Sequence, residues 1–253
     1  MLRNNKMHFS VPKRFRIVLA SRSPRRCALL SRIIGRTEFE IRHSTIPETP
    51  IPDENAILYC MRVALAKASR VMAIESRSRT GSRRDLIVIA ADTVISFKNK
   101  IIGQPKSKRD AVRILKLLSG KRHDVVTGLA VIMRHRSKFG RAEKSDLIVT
   151  KAVISRVWLR RLSDKTIHDY VQTGEPMDKA GAYAIQEKGK RLIEKYSGSY
   201  TNIVGLPVEV LRMILKRLSN NKICSGRTCS AENTDCMSSK IDHYNDYNKI
   251  IVQ

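Results

Sequence analysis

The chain is short of acid and short of aromatics. Against 49 lysines and arginines stand 23 aspartates and glutamates, for a net charge of +26, and Phe, Trp and Tyr make up 5% of the residues. A balance that basic suits an anionic partner, whether a small phosphorylated substrate or nucleic acid. Basic clusters fall at Lys13, Arg14 and Arg16, at Arg77, Arg79, Arg83 and Arg84, and along Arg134, Arg136, Lys138 and Arg141. The few aromatics do not interleave with them as stacking platforms would, so a nucleic-acid partner is allowed for but not favoured.

Other absences exclude further classes. No apolar run reaches the length needed to cross a bilayer, and the first residues lack the apolar core of a signal peptide, so no membrane partner is expected. The five cysteines, Cys27, Cys60, Cys224, Cys229 and Cys236, form an odd set with no CxxC pair and no histidine at ligand spacing, which argues against both a disulfide framework and a zinc site. A reducing, cytoplasmic setting is the expectation. Neither GxxxxGK[ST] nor GxGxxG follows a strand, which removes the P-loop and dinucleotide-binding classes.

What is present starts with Leu86–Phe97, LIVIAADTVISF. Its near-continuous apolar, β-branched character reads as a strand buried on both faces, interrupted by Asp92 and Thr93. A carboxylate there is costly unless a metal, a cation or a substrate meets it; the alternative is an Asp at the strand's end accepting backbone hydrogen bonds.

Upstream, an apolar strand over Phe15–Ala20 runs into Ser21-Arg22-Ser23-Pro24-Arg25-Arg26 and then a helical stripe of Cys27, Leu30 and Ile34, closed by Gly35. Ser23 suits the N-cap and Pro24 the first helical position. A helix N-terminus flanked by two guanidiniums can take phosphate oxygens, with Ser21 adding a hydroxyl; solvated arginines on an ordinary capped helix are the alternative.

Glu38–His43 reads as a short strand, followed by a loop in which prolines bracket Glu48. Asp53 or Asn55 caps the next helix, whose apolar face (Cys60, Val63, Ala64, Val71 and Ile74) also carries Lys67. An inward lysine either meets an anion or snorkels past its neighbours. Ser107 starts a helix through Leu118, with Asp110 in its capping box. Asp124–His135 and Leu147–Leu159 fit an antiparallel pair. Ser163 caps a helix that ends at Gly174. The glycine-rich stretch Gly174–Glu187 follows, where Asp178 and Lys179 make either a site or a salt-bridged turn. Arg191–Tyr196 reads as a strand and Pro207 opens a last helix. The division expected is a mobile basic arm over 1–13, a folded domain over 14–219 and a polar, disordered tail over 220–253.

SRSPRR, AKA (Ala66–Ala68), AADTV (Ala90–Val94), LLSGKRHDVVTG and GEPMDKAGAYAIQ, in that order, resemble the Maf-like nucleotide pyrophosphatase family over roughly Arg16–Leu218. The resemblance implies an α/β fold: a twisted mixed sheet with flanking helices, in two lobes around a central cleft. It implies hydrolysis of nucleoside triphosphates, dTTP and UTP in the branch whose motifs these resemble, to monophosphate and pyrophosphate. It further implies a divalent metal, magnesium or manganese, and a homodimer. Carried over by motif, Asp92 is the catalytic acid and proton acceptor, and Arg25, Thr93 and Gln186 select pyrimidines. Arg26, Glu48 and Lys67 are cleft residues. Ser21, Ser23, Arg25, Arg26 and Lys67 are then expected to bind substrate, with Asp178 and Lys179 beside them, and Glu48 and Asp92 to hold the metal.

Three positions depart from the family's pattern: Gln104 stands where lysine is usual before the proline, and Ala184 and Glu187 where AYGIQG is usual. The competing reading is therefore a low-activity scaffold that binds nucleotides or nucleic acid through its basic surface.

Overall fold

The computed structural model describes residues 12–35, 38–77, 84–136, 142–219 and 248–252. Strand β1 (Phe15–Leu19) leads into helix α1 (Pro24–Ile34), strand β2 (Phe39–Ile41) and helix α2 (Ala56–Arg77). Then come β3 (Asp85–Phe97), β4 (Lys100–Ile102), α3 (Lys108–Leu118), β5 (Arg122–Arg136), β6 (Ala142–Leu159) and α4 (Asp164–Gln172). Three 3-10 helices, Glu175–Asp178, Ala180–Ala182 and Glu187–Leu192, precede β7 (Ile193–Ser197), α5 (Tyr200–Val204), α6 (Val208–Ser219) and β8 (Asn248–Val252).

The strands form one mixed sheet in the order β2-β1-β3-β5-β6-β7, with β4 added to β3 and β8 to β6. β1 lies parallel to both β2 and β3, and every other pairing is antiparallel. The α/β class and the mixed sheet with flanking helices are as the sequence pattern and the family resemblance led us to expect.

Period-two alternation on β3 supplies both faces of the core. Leu86, Val88 and Ala90 meet Ala64, Ala68, Val71 and Met72 of α2, and Val94 meets Ala56, Tyr59, Cys60 and Val63 of its first turns. Ile87, Ile89, Ala91 and Ile95 face the other way, into a larger core built from α1, α3, α4 and α6. Helix α2 sits very close to the sheet because Gly128 of β5 has no side chain there. A Cβ on Gly128 would collide with the backbone carbonyl of Cys60 and stand 2.6 Å from the Met61 nitrogen.

The β3–β4 hairpin turns through Lys98 and Asn99, at φ 50° and 59°, the left-handed pair of a two-residue I′-type turn. β1 leaves β3 after Leu19–Ile89, and β4 joins it only at Ile95–Ile102. Between those points one edge of β3 has no strand partner among the described residues, and that opening lies at the carboxyl end of β1, where α/β sheets commonly receive ligands.

Several expectations need correction. Arg16, read from sequence as part of a basic cluster with Lys13 and Arg14, is buried and forks onto Glu40 and Glu75 at 2.6–2.8 Å. β6 begins at Ala142, five residues before the strand expected from Leu147. Within the tail expected to be disordered over 220–253, Asn248–Val252 pairs with Leu147–Lys151 as β8; residues 220–247 and 253 lie outside the described residues, as do 1–11 of the expected arm. Among the described residues no helix is long and apolar enough to cross a membrane.

Candidate active site

Strand β1 delivers the chain into Ser21, Arg22 and Ser23, and Ser23 caps α1 by accepting from the Arg26 amide at 3.5 Å. Ser21 Oγ accepts from the Ser23 amide at 3.2 Å. Pro24 has no N–H to offer. The hydroxyls of Ser21 and Ser23 thus engage part of the amide set expected to face an anion, and the guanidiniums become the principal donors.

Arg26 is the more telling of the two. Its Nε donates to the Gly205 carbonyl at 2.8 Å, Nη2 to Thr93 Oγ1 at 3.2 Å and Nη1 to Ser21 Oγ at 3.4 Å. These acceptors are neutral, and no carboxylate pairs with Arg26 within 4 Å among the described residues. Burial lowers its pKa, and the Asp92 carboxylate partly offsets that effect. An arginine remains charged regardless, so a half-buried cation waits here without a counter-ion.

Thr93, which Arg26 holds, is 2.9 Å from Thr127 Oγ1 on the neighbouring strand, and Thr127 Oγ1 lies 3.1 Å from the Asn202 carbonyl. Arg25 reaches Asp178 at 3.3 Å, and Lys179 pairs with the same carboxylate. Burial alone would raise the pKa of Asp178, but Lys179 and Arg25 hold it below the usual carboxylate range. Gln104 donates to the Asp178 carbonyl at 3.3 Å. Ser23, Arg25, Arg26, Thr93, Gln104, Lys179 and Gln186 line one pocket, whose apolar wall is Tyr183, Ile185, Ile203 and Val204.

Asp92, next to Thr93 on β3, projects to the opposite face. Lys67 Nζ meets its Oδ1 at 2.7 Å and Glu48 Oε1 at 2.9 Å. That bond to Oδ1 leaves Asp92 Oδ2 without a hydrogen-bond partner among the described residues. Tyr59 pins the Glu48 loop by donating to the Glu48 carbonyl at 2.8 Å. Burial, then the charges of Asp92 and Glu48, push the Tyr59 hydroxyl well above its ordinary range, and Cys60 is raised by burial and by Asp92. The Asp92 field therefore reaches Arg26 on one side of β3 and Tyr59 and Cys60 on the other.

The expected residues fall into two groups, one on each face of β3 at its open edge. Ser21, Ser23, Arg25, Arg26, Thr93, Asp178, Lys179 and Gln186 gather on one side, and Glu48, Lys67 and Asp92 on the other. Sequence reading missed Tyr59, Thr127, Gly128 and the Gly205 carbonyl. Thr127 and Gly128 lay within the VVTG stretch already singled out; α5, which positions Gly205, is five residues long, too short for a periodic signal.

Glu187 adopts φ 52°, a left-handed conformation that favours glycine. Relief of that strain, less glycine's greater entropy loss on folding, should make Glu187→Gly more stable by about 0.5–1 kcal/mol in a denaturant titration.

The Maf-like protein family model matches residues 16–218. The dTTP/UTP pyrophosphatase of Geobacter sulfurreducens is 44% identical over 203 residues, covering 79% of this chain and 96% of that protein. Proteins of the same name from Acetivibrio thermocellus, 44% identical, and Clostridium botulinum, 39% identical, align over 79% and 81% of this chain and over 94% and 98% of their own lengths.

Proposed function

This chain belongs to the Maf-like family, and from that premise we propose that it hydrolyses nucleoside triphosphates, dTTP and UTP foremost, to the monophosphate and pyrophosphate. The observation that carries this reading is the meeting, at the open edge of β3, of an arginine without a counter-ion and a carboxylate oxygen without a partner. Arg26, with Arg25, binds phosphate oxygens in forked geometry. Asp92 Oδ2 accepts the proton of the water that attacks the α-phosphorus, while Lys67, bonded to Oδ1, holds the carboxylate in orientation. As pyrophosphate departs, the cations of the cleft stabilise its charge. On this reading the base enters beside Thr93 and Gln186, which share a pocket with the apolar wall of Tyr183, Ile185, Ile203 and Val204.

A divalent ion, magnesium or manganese, fits the donor chemistry of the second group. Lys67 Nζ brings the Glu48 and Asp92 carboxylates to one place, and such ions bind through one or two carboxylates plus substrate phosphates. Among the described residues no larger cluster of acidic, histidine or cysteine ligands exists. When bound, the ion would supply further neutralisation of phosphate charge. On this reading chelation abolishes turnover and either ion restores it.

The test is pyrophosphate release from a panel of ribo- and deoxyribonucleoside triphosphates. Turnover of dTTP and UTP above the purine nucleotides is expected; release of orthophosphate alone, or no turnover, would sink the proposal. Arg26→Gln should lower kcat/KM roughly ten- to a hundredfold, the equivalent of one charge-assisted hydrogen bond in a half-buried site. Arg26→Lys should recover only part, because the ammonium keeps the charge and loses the fork.

A further inference from the structure

The face of the sheet covered by α2 is not covered along its whole length. The first turns of α2 pack on Val94 and Val126. Beyond them, towards the far end of β3, the next residues on that face are exposed or half-buried. Two cross-strand rows run across them: Asp124, Arg156 and Ser197, then Arg122, Trp158 and Lys195. Arg122, Arg156 and Lys195 are exposed, and none forms an ion pair among the described residues. Asp124 is the one acid in these rows; it stands opposite Arg156, and its Oδ1 is buried without a hydrogen bond.

Trp158, the chain's single tryptophan, lies between Arg122 on β5 and Lys195 on β7. Lys195 Nζ stands 5.3 Å from the centre of its ring. Trp158 itself is half-buried, so part of its ring faces solvent. Neighbouring strands are about 4.8 Å apart, so the two cations directly flank the aromatic surface.

We infer that this open end of the sheet docks single-stranded nucleic acid, with Trp158 stacking on a base and Arg122, Arg156 and Lys195 contacting phosphates. The recognition chemistry is charge complementarity on a chain of net charge +26, combined with a π surface that accepts any base. The surface is separate from the catalytic pocket, so the proposal stands whether or not the triphosphate reading holds.

The single tryptophan supplies the assay. Oligo(dT) added to the full-length protein should quench Trp158 fluorescence, and the binding constant should fall with salt at a log–log slope of about −2, from roughly 0.7 per phosphate contact over three contacts. In anisotropy measurements with labelled oligo(dT), the triple variant Arg122→Gln/Arg156→Gln/Lys195→Gln should lose most of that slope, and Trp158→Ala should bind roughly tenfold more weakly or worse. Trp158→Phe, which keeps a ring in the same place, should retain part of the affinity and guards against misfolding. Pyrophosphate release in the triple variant should equal wild type.

Oligo(dT) binding that survives the triple variant with its salt slope intact would overturn the proposal. So would quenching by phosphatidylserine vesicles but not by oligo(dT), which would make the face a membrane contact. Self-association abolished by the triple variant, with no oligonucleotide binding in wild type, would make it a subunit interface and likewise overturn the proposal.

Discussion

Asp92→Asn should reduce pyrophosphate release by about two to four orders of magnitude, the range associated with loss of a positioned general base. The amide keeps the shape of the carboxylate and can still accept from Lys67, so the fold should survive. Lys67 also retains Glu48 at 2.9 Å, so the cation is not left unpaired. The stability cost should be about 1–3 kcal/mol, that of weakening one mostly buried hydrogen-bonded contact. Pyrophosphate release under saturating dTTP, measured beside a thermal melt, separates the two effects. Turnover within threefold of wild type would remove Asp92 from the mechanism. Loss of turnover accompanied by a collapsed melt would make the residue structural.

The second large effect is expected at a residue that touches no substrate. Gly128→Ala places a methyl group against the Cys60 carbonyl and the Met61 nitrogen, both backbone atoms that cannot rotate away. Overpacking of this kind costs about 1–3 kcal/mol, and the upper end is expected because α2 must move as a unit. That movement carries Lys67, two turns further along the same helix, away from Asp92. A misplacement of about 1 Å in a catalytic constellation can cost on the order of a hundredfold in rate. Gly128→Ala should therefore lower both the denaturation midpoint and kcat. A variant with a lowered midpoint and unchanged kcat would show that the α2 approach serves stability alone. The distinction matters because Gly128 stands directly opposite Asp92 in the β3–β5 register, so the acid's own cross-strand partner sets how near its lysine can come.

Chain-local chemistry was legible before any coordinates. The strand feeding Ser23, Pro24 and the paired arginines, the buried run through Asp92, the inward Lys67 and the capped helices all follow from side-chain periodicity and cap chemistry acting over a few residues. The Maf-like motifs then tied these pieces to one family in order. Asn55 proved to be the α2 cap of the two offered, accepting from the Ile57 and Leu58 amides at 3.0 Å, because its short side chain reaches back to the first turn.

Contacts between distant segments were not legible. That Asp92 and Thr93 serve opposite faces follows from the pleat, but that both faces open at one edge depends on where β1 leaves and β4 joins. Arg16 counted as one more member of a basic cluster until the fold set two carboxylates, 24 and 59 residues away, around it. Arg122, Trp158 and Lys195 are likewise separated by more than thirty residues each and share no pattern along the chain. The sequence by itself determined most of the longer strands and helices, their caps and the identity of the reactive groups, because these depend on neighbours within a turn or a pleat; the short α5 and β8 and the start of β6 were not legible. Tertiary structure alone decided which groups meet, which arginine keeps its charge without a counter-ion and which aromatic lies beside bare cations, because strand order and register bring together residues that the covalent chain keeps apart.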